Sequence, residues 1–350
     1  MNIQQALARL VEGGNLERAE MASTMAQVMA GECSDAQIGG FLVALRMKGE
    51  TIEEVAGAVE VMRDLSVPVA ISEDAREHLV DLVGTGGDGA NLFNVSTAAT
   101  FVVAAAGAKV AKHGNRSVSS TSGSSDVLEE LGVPLDLTPE QVGRAVEEVG
   151  LGFMFAPAHH SAMRHAIGPR RELGMRTLFN ILGPLTNPAN VKRQLIGVFS
   201  ADLCLPVAKV LKMLGSKHVM VVHSDDGLDE ISIAADTQVA ELLDGNILEY
   251  KLSPADFSYP KESLDGLSVS SAQESAQLIR DALSGKDDDR ARKAAAIITI
   301  NAGICIYVSG IAATQADGIS LAEDLISTGQ AEQKMREFVE FTQLASAGAQ

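Results

Sequence analysis

The segment Gly84-Thr85-Gly86-Gly87-Asp88-Gly89 places glycines at 84, 86 and 87, directly after an apolar run. Backbone N–H groups in such a turn can approach a ligand closely and form a concave anion site, the more so just before a helix. The spacing is neither GxGxxG nor GxxxxGK[ST], so the turn reads as a different phosphate cradle or as a plain tight turn. Asn94, Val95, Ser96 and Thr97 come next. Asn94 or Ser96 suits the cap of the coming helix, and the same side chains suit a phosphate or a metal-bound oxygen. Lys112, His113, Gly114, Asn115, Arg116, Ser117, Val118, Ser119 and Ser120 gather two firm positive charges, a histidine, an amide and several hydroxyls. The polar run continues through Thr121 and Ser124 to Asp126. A core cannot house so many polar groups unpaired. A loop that wraps a pyrophosphate explains both the charges and the hydroxyls.

Asp229-Glu230 follows the turn Asp225-Asp226-Gly227. Adjacent carboxylates in a loop are either solvated or hold Mg2+, which takes one or two carboxylates with water and substrate phosphates. Arg170 and Arg171 end an expected helix, near Arg164, His165 and Arg176. They either complement its dipole or grip a carboxylate bidentately. His159-His160 has no third ligand at metal spacing and reads as structural. No residue stands out as a general base, His113 being the nearest to one.

The elements that must position these residues show in the hydrophobic pattern. Up to about residue 65 the chain reads as helical. Ile3, Leu7, Leu10 and Val11 share a face, as do Ile38, Phe41, Leu42 and Leu45, and then Ile52, Val55, Val59 and Met62. Ser34 or Asp35 and Thr51 suit N-caps, and Gly31 and Gly49 suit stops. The apolar faces either pack on the rest of the chain or make a homodimer contact. From residue 78 strands alternate with helices. Strands are expected over 78–83, 109–112, 152–156, 195–200 and 218–223, and helices over 96–106, 125–131, 139–149, 161–173 and 203–214. The alternation implies an α/β fold with a mainly parallel central sheet flanked by helices. Residues 231–235, 237–243 and 247–251 suggest an antiparallel excursion, and the chain is helical again after about 271. Two units are expected: a small N-terminal helical domain over 1–70, to which a later helical segment near 165–190 can belong, and a larger α/β domain over 71–350.

Composition narrows the function. The chain has 350 residues, 46% hydrophobic, with no tryptophan and a net charge of −18. Such a surface repels nucleic-acid backbones, although a local pocket can still take a phosphate. Cys33, Cys204 and Cys305 form no CxxC pair and read as reduced thiols. The charged N-terminus is no signal peptide, and the apolar run over 294–310 is short for a membrane span and contains Asn301. The expectation is a soluble, cytoplasmic enzyme with no membrane and no nucleic-acid partner.

Taken in order, residues 84–88, 94–97 and 112–120, then Arg170, Arg176-Thr177, Phe179-Asn180, 182–188 and 227–230, closely resemble the anthranilate phosphoribosyltransferase family of tryptophan biosynthesis. The resemblance implies substrates in a cleft between a helical and an α/β domain, and a homodimer formed through the helical domain. Phosphoribosyl pyrophosphate would lie on Gly84, Gly87, Asp88, Asn94, Val95, Ser96, Thr97, the whole stretch Lys112 to Ser120, and Ser124. Magnesium would be held at Ser96 and at Asp229 with Glu230. Anthranilate would meet Gly84, Asn115 and Arg170, with Lys112, Asn115 and Arg170 as the positioning residues. Leu92, Thr121, Ser161 and Pro169 stand where the family often has threonine, lysine, proline and valine, which touches affinity and not the reaction. Two other readings compete. One is a pyrimidine-nucleoside phosphorylase of the same fold, whose glycine- and histidine-rich segment is missing here. The other is a non-catalytic nucleic-acid-binding relative, which should be basic and lack Asp229-Glu230.

Overall fold

The N-terminal helices begin and end where local chemistry sets them. The structure, a computed structural model, describes residues 1–116 and 122–348, so Ser117, Val118, Ser119, Ser120 and Thr121 lie outside the described residues. Helices Ile3–Val11, Arg18–Ala30, Asp35–Lys48 and Ile52–Asp64 form the first unit. Ser34 and Thr51 each accept the backbone N–H three residues on, in capping boxes, and Gly31 closes its helix in the left-handed conformation. Met21, Met25, Phe41, Leu42, Leu45 and Val59 are buried together with Ala166, Leu178, Phe179 and Leu182 from much later in the chain.

The sheet has seven strands: β1 Leu79–Gly84, β2 Lys109–Gly114, β3 Leu151–Phe155, β4 Arg193–Gly197, β5 His218–Ser224, β6 Thr237–Leu243 and β7 Asn246–Leu252. Their order is β3-β2-β1-β4-β5-β6-β7, with β1 to β5 parallel and the hairpin β6–β7 antiparallel. From β1 the chain winds one way to β2 and β3, and β4 returns to the other side of β1 to lead on to β5. That reversal makes the carboxyl ends of β1 and β4 a switch point, the place where open α/β sheets bind ligands. The register pairs Gly84 with Gly197 at this edge, and Gly114 with Phe155 two strands away.

Helix Val95–Ala105 packs on helix Asp289–Ser309 behind the sheet. The latter is long and apolar enough to cross a membrane by composition, but Ile297, Ile298, Ile300, Asn301, Ile304 and Cys305 are buried in the core.

Two expectations are corrected. Residues 231–235 form no strand; Ile231 and Ser232 are buried in an irregular segment, and Asn301 takes the backbone bonds of Ile231 that a ladder would use. The helix expected over 161–173 is a 3-10 turn Ser161–Met163 followed by helix Arg164–Leu173, which contains Pro169. Helix Phe179–Leu185, with Gly183 and Pro184 inside it, falls in the later helical segment expected near 165–190, although no periodic signature marked its bounds.

Candidate active site

Gly84 ends β1, and Asp229 occupies the space beside it. The Asp229 carboxylate accepts the Gly86 N–H at 2.7 Å. A Cβ built at Gly84 would run into that carboxylate, and one at Gly197 would run into the Asp229 backbone. The paired glycines therefore make room for the acid, so Gly84 needs no side chain for a reason internal to the fold. Gly197 carried no signal in the sequence apart from lying within an expected strand. Gly86, Gly87 and Gly89 all have positive φ, which glycine adopts at no steric cost.

Glu230 accepts the Ser96 N–H at 3.2 Å, at the start of helix Val95–Ala105. Asn301 fixes the next residue from below: its Oδ1 accepts the Ile231 N–H at 3.0 Å, and its Nδ2 donates to the Ile231 carbonyl at 2.8 Å. Read from sequence, Asn301 was only a polar interruption in an apolar run. Its fully buried amide in fact anchors the carboxylate loop.

The expected capping of that helix is corrected. The Asn94 side chain makes no cap bond. Instead its Oδ1 accepts the hydroxyls of Ser122 and Ser275, each at 2.8 Å. The backbone N–H of Asn94 also donates to Ser275 at 2.9 Å. Asn94 thus ties Ser122 to helix Ala272–Leu283. Ser275, fully buried, was missed because a lone serine in a helix has no motif.

Lys112 is buried at the end of β2. Its Nζ donates to the Leu82 carbonyl at 2.6 Å and to Ser96 Oγ at 3.2 Å. Asp81 lies fully buried alongside, accepting the His113 N–H at 3.3 Å and the Asn187 amide at 2.8 Å. Burial pushes the Asp81 carboxyl up to about 6, against the pull of Lys112. Burial likewise pushes Asp229 up to about 6, with Asp88 adding repulsion. Glu230 rises well above the usual range through burial and the Asp229 charge. Burial holds Lys112 below the ordinary lysine value despite Asp81 and Glu230. The fully buried Asp81 and the half-buried Asp229 and Glu230 outnumber the single ammonium, and raised carboxyls are the expected direction for negative charge left over in a site shielded from water.

A hard divalent cation fits this donor set: Asp229 and Glu230 are half-buried acceptors with excess negative charge, open enough to meet an ion, beside the Ser96 hydroxyl. The region also holds a buried hydroxyl, Thr97 Oγ1, with no hydrogen-bond partner among the described residues.

Three expected residues behave differently from the rest. The Arg116 guanidinium is committed to Glu129 and Asp126, at 2.6 and 2.9 Å, so its charge is already neutralised on helix Ser124–Leu131. His113 is buried, lies 5.1 Å from the ring of His160, and is pushed down to about 3, chiefly by burial. A ring that stays neutral and enclosed is no acid catalyst near neutral pH. Ser124 bonds the Asn115 carbonyl at 3.3 Å, which holds these two residues together.

Asn115 is exposed, with its amide nitrogen free of protein partners among the described residues, while its Oδ1 accepts the Arg116 N–H. Arg170 is half-buried over the Phe179 ring at 5.1 Å and has no acidic partner among the described residues. Burial lowers its pKa, which is the cost of holding an uncompensated guanidinium. Arg176 stacks on Phe199 at 4.2 Å and donates to the Gly87 carbonyl, bracing the glycine turn.

The fold and the site define a glycosyltransferase built from two modules. Residues 4–66 match the helical bundle domain of a glycosyl transferase family, and residues 76–332 match its a/b domain. The chain belongs to the anthranilate phosphoribosyltransferases, pentosyl transferases of tryptophan biosynthesis. It is 63% identical over 343 residues to the enzyme of Cellvibrio japonicus, covering 98% of this chain and 99% of that one. It is 61% identical to the enzyme of Teredinibacter turnerae, at 98% and 99% coverage. The crystal structure of the Thermus thermophilus anthranilate phosphoribosyltransferase superposes with a TM-score of 0.90 at 40% identity, covering 97% of this chain and 99% of that one. The Saccharomyces cerevisiae enzyme in complex with phosphoribosyl pyrophosphate and Mg superposes at 0.88 with 27% identity, covering 97% and 98%.

Proposed function

We propose that the carboxyl edge of β1, β2 and β4 holds phosphoribosyl pyrophosphate and Mg2+ so that the anthranilate amine displaces pyrophosphate from the sugar C1. The observation that carries this assignment is the convergence of Asp229, Glu230, Lys112 and the glycine turn at the sheet's switch point. The leaving group is highly charged, so catalysis needs charge neutralisation and positioning. Lys112 brings a positive charge close to Ser96, while the amides of the 84–88 turn and the N-terminus of helix Val95–Ala105 supply oriented donors. Asp229 and Glu230, with Ser96, would hold Mg2+, which when bound supplies Lewis-acid charge and a template for the pyrophosphate oxygens. An aromatic amine is unprotonated near neutral pH, so the reaction needs no strong base, and the neutral, buried His113 agrees with that.

Gly84, Gly87, Asp88, Asn94, Val95, Ser96, Thr97, Lys112, His113, Gly114, Asn115 and Ser124 form the ribosyl side of this proposal, and Gly84, Asn115 and Arg170 the anthranilate side. Arg116, already paired, serves there by fixing the loop rather than by neutralising pyrophosphate. Arg170, with no acidic partner among the described residues, suits the anthranilate carboxylate. Arg170→Ala should raise KM for anthranilate at least tenfold while leaving that for phosphoribosyl pyrophosphate within about twofold, an estimate from the loss of one charge-assisted bond. Equal rises in both would make Arg170 a structural residue.

The same reading extends to a cytoplasmic homodimer, with 1–70 as its helical domain and 71–350 as the α/β domain. Val11 and Met47, 76% and 84% exposed, sit at the end of the first helix and on the third, which pack together. An apolar surface of this kind on a helical unit suits a second copy.

A further inference from the structure

We propose that the opposite end of the sheet, where β4 and β5 begin, is a second anion site that takes a free tetrahedral oxyanion such as sulfate or inorganic phosphate. The register brings Lys192-Arg193 and Lys217-His218 side by side: Arg193 pairs with His218, and the Lys217 N–H donates to the Lys192 carbonyl at 2.8 Å. Two more cations act on Lys192 from other elements, although neither lines the cavity at Arg193 and Lys217. Arg63, at the end of helix Ile52–Asp64, donates through Nε to the Leu185 carbonyl at 2.8 Å. Arg76 donates to the Ala189 carbonyl at 3.2 Å. Both therefore hold the loop that leads into Lys192, and Arg63 keeps its terminal amino groups free of protein acceptors among the described residues.

Few acids oppose this concentration of charge. Glu60 is already committed to Arg18. Glu73 lies 3.9 Å from Arg76 and is 95% exposed. Asp244 and Glu77 act on Arg193 from beyond ion-pair distance. Neither Lys192 nor Lys217 has an acidic partner among the described residues. Burial and the charges of Arg63, Arg76 and Lys217 lower the pKa of Lys192, which is the signature of cations crowded together. In a chain of net charge −18 this crowding runs against the overall composition.

The corner is also concave. A cavity of about 310 Å³ is lined by Arg193, Ser216, Lys217, His218 and Asp244, among others. Ser216 Oγ is buried there with no hydrogen-bond partner among the described residues. Arg193 is held in place by the Val308 carbonyl at 3.1 Å and lies against Gly310. Arg193 and Lys217 are the cations of the lining and Asp244 its one acid, the His218 ring being taken up by Glu241 at 2.8 Å, so the two cations favour a small oxyanion. This end of the sheet lies opposite Gly84, so the site is separate from the one described above.

The test is calorimetric titration of sulfate, at ionic strength held constant with chloride, into the full-length enzyme. The enzyme is first saturated with phosphoribosyl pyrophosphate and Mg2+, without anthranilate, so that the first phosphate site is filled. The expected result is one saturable equivalent of sulfate in the wild type and at least tenfold weaker binding in Lys217→Gln, with kcat unchanged. Lys217 is exposed, so this variant keeps its fold, and its melting temperature without sulfate checks that. No saturable binding in the wild type, or equal binding by the variant, overturns the proposal.

Discussion

At the scale of single residues, the site is set by where burial leaves charge unbalanced. Asp229 and Glu230 are raised above their unfolded values, so at these two groups the folded protein without metal binds more protons than the unfolded chain above about pH 4. Stability from these groups is therefore highest at low pH and falls as pH rises toward the folded pKa of Asp229, near 6, and through the raised pKa of Glu230. The fall is roughly 1.4 kcal/mol for each pH unit over which the folded chain holds one extra proton. His113 and His160 act in the opposite direction. Their folded values, about 3 and about 4, lie below the unfolded one, so their contribution is lost as pH falls below about 6.5. The two effects partly cancel in the wild type, and a difference measurement separates them. Asp229→Asn with Glu230→Gln should gain stability relative to the wild type as pH rises from about 4 to about 7, by about 2–4 kcal/mol in all, read as urea midpoints without metal. The gain should vanish when Mg2+ is present. A difference that does not change with pH would mean that the pair is not strained by burial. The chemical identity of these residues was legible in the sequence because Asp-Glu and the 112–120 run are rare local compositions. The reason for Gly84 was not legible, because the atom that would strike its side chain belongs to residue 229.

At the scale of elements, the sheet edge and one long helix carry the geometry. β1, β2 and β4 deliver Gly84, Gly114 and Gly197 to one side, as alternation of strands and helices predicts for a parallel sheet. Helix Asp289–Ser309 supports that edge from behind through Asn301. Asn301→Leu should leave the helix in place and free both backbone groups of Ile231, so that Glu230 loses its fixed position. Expected outcomes are Mg2+ affinity weakened by roughly 10- to 100-fold, in line with other residues that orient ligands at one remove, and a loss of about 1–3 kcal/mol in stability. Unchanged Mg2+ titration alongside lost stability would reduce Asn301 to a packing role. The strands and capped helices were legible because period and caps are local. The bounds of helix Phe179–Leu185 and the irregular course of 231–235 were not, because they are set by distant partners such as Asn301 and the helical unit.

At the scale of the whole molecule, the composition described the surface well and the assembly incompletely. An acidic chain with a basic loop suggested a phosphate ligand, and the relative solved with phosphoribosyl pyrophosphate and Mg agrees with that part of the reading. Apolar helical faces were visible in the sequence, but whether a face turns inward depends on packing. Ile38, Phe41 and Leu42 are buried, whereas Val11 and Met47 remain outside. If this surface joins two copies, Val11→Glu with Met47→Glu should convert the dimer to a monomer in sedimentation velocity while each copy keeps its secondary structure. A variant that stays dimeric would move the contact to another face. The central claim is that one bound phosphoribosyl pyrophosphate is consumed per anthranilate at this site. It is tested most directly by mixing the enzyme with both substrates and Mg2+ and following anthranilate fluorescence alongside pyrophosphate release. The account predicts a one-for-one loss of anthranilate that stops when Mg2+ is chelated. It also predicts a rate reduced at least about a hundredfold in the Asp229→Asn, Glu230→Gln variant, which corresponds to losing a few kcal/mol of charge stabilisation. Undiminished anthranilate together with phosphorolysis of thymidine or uridine would contradict it.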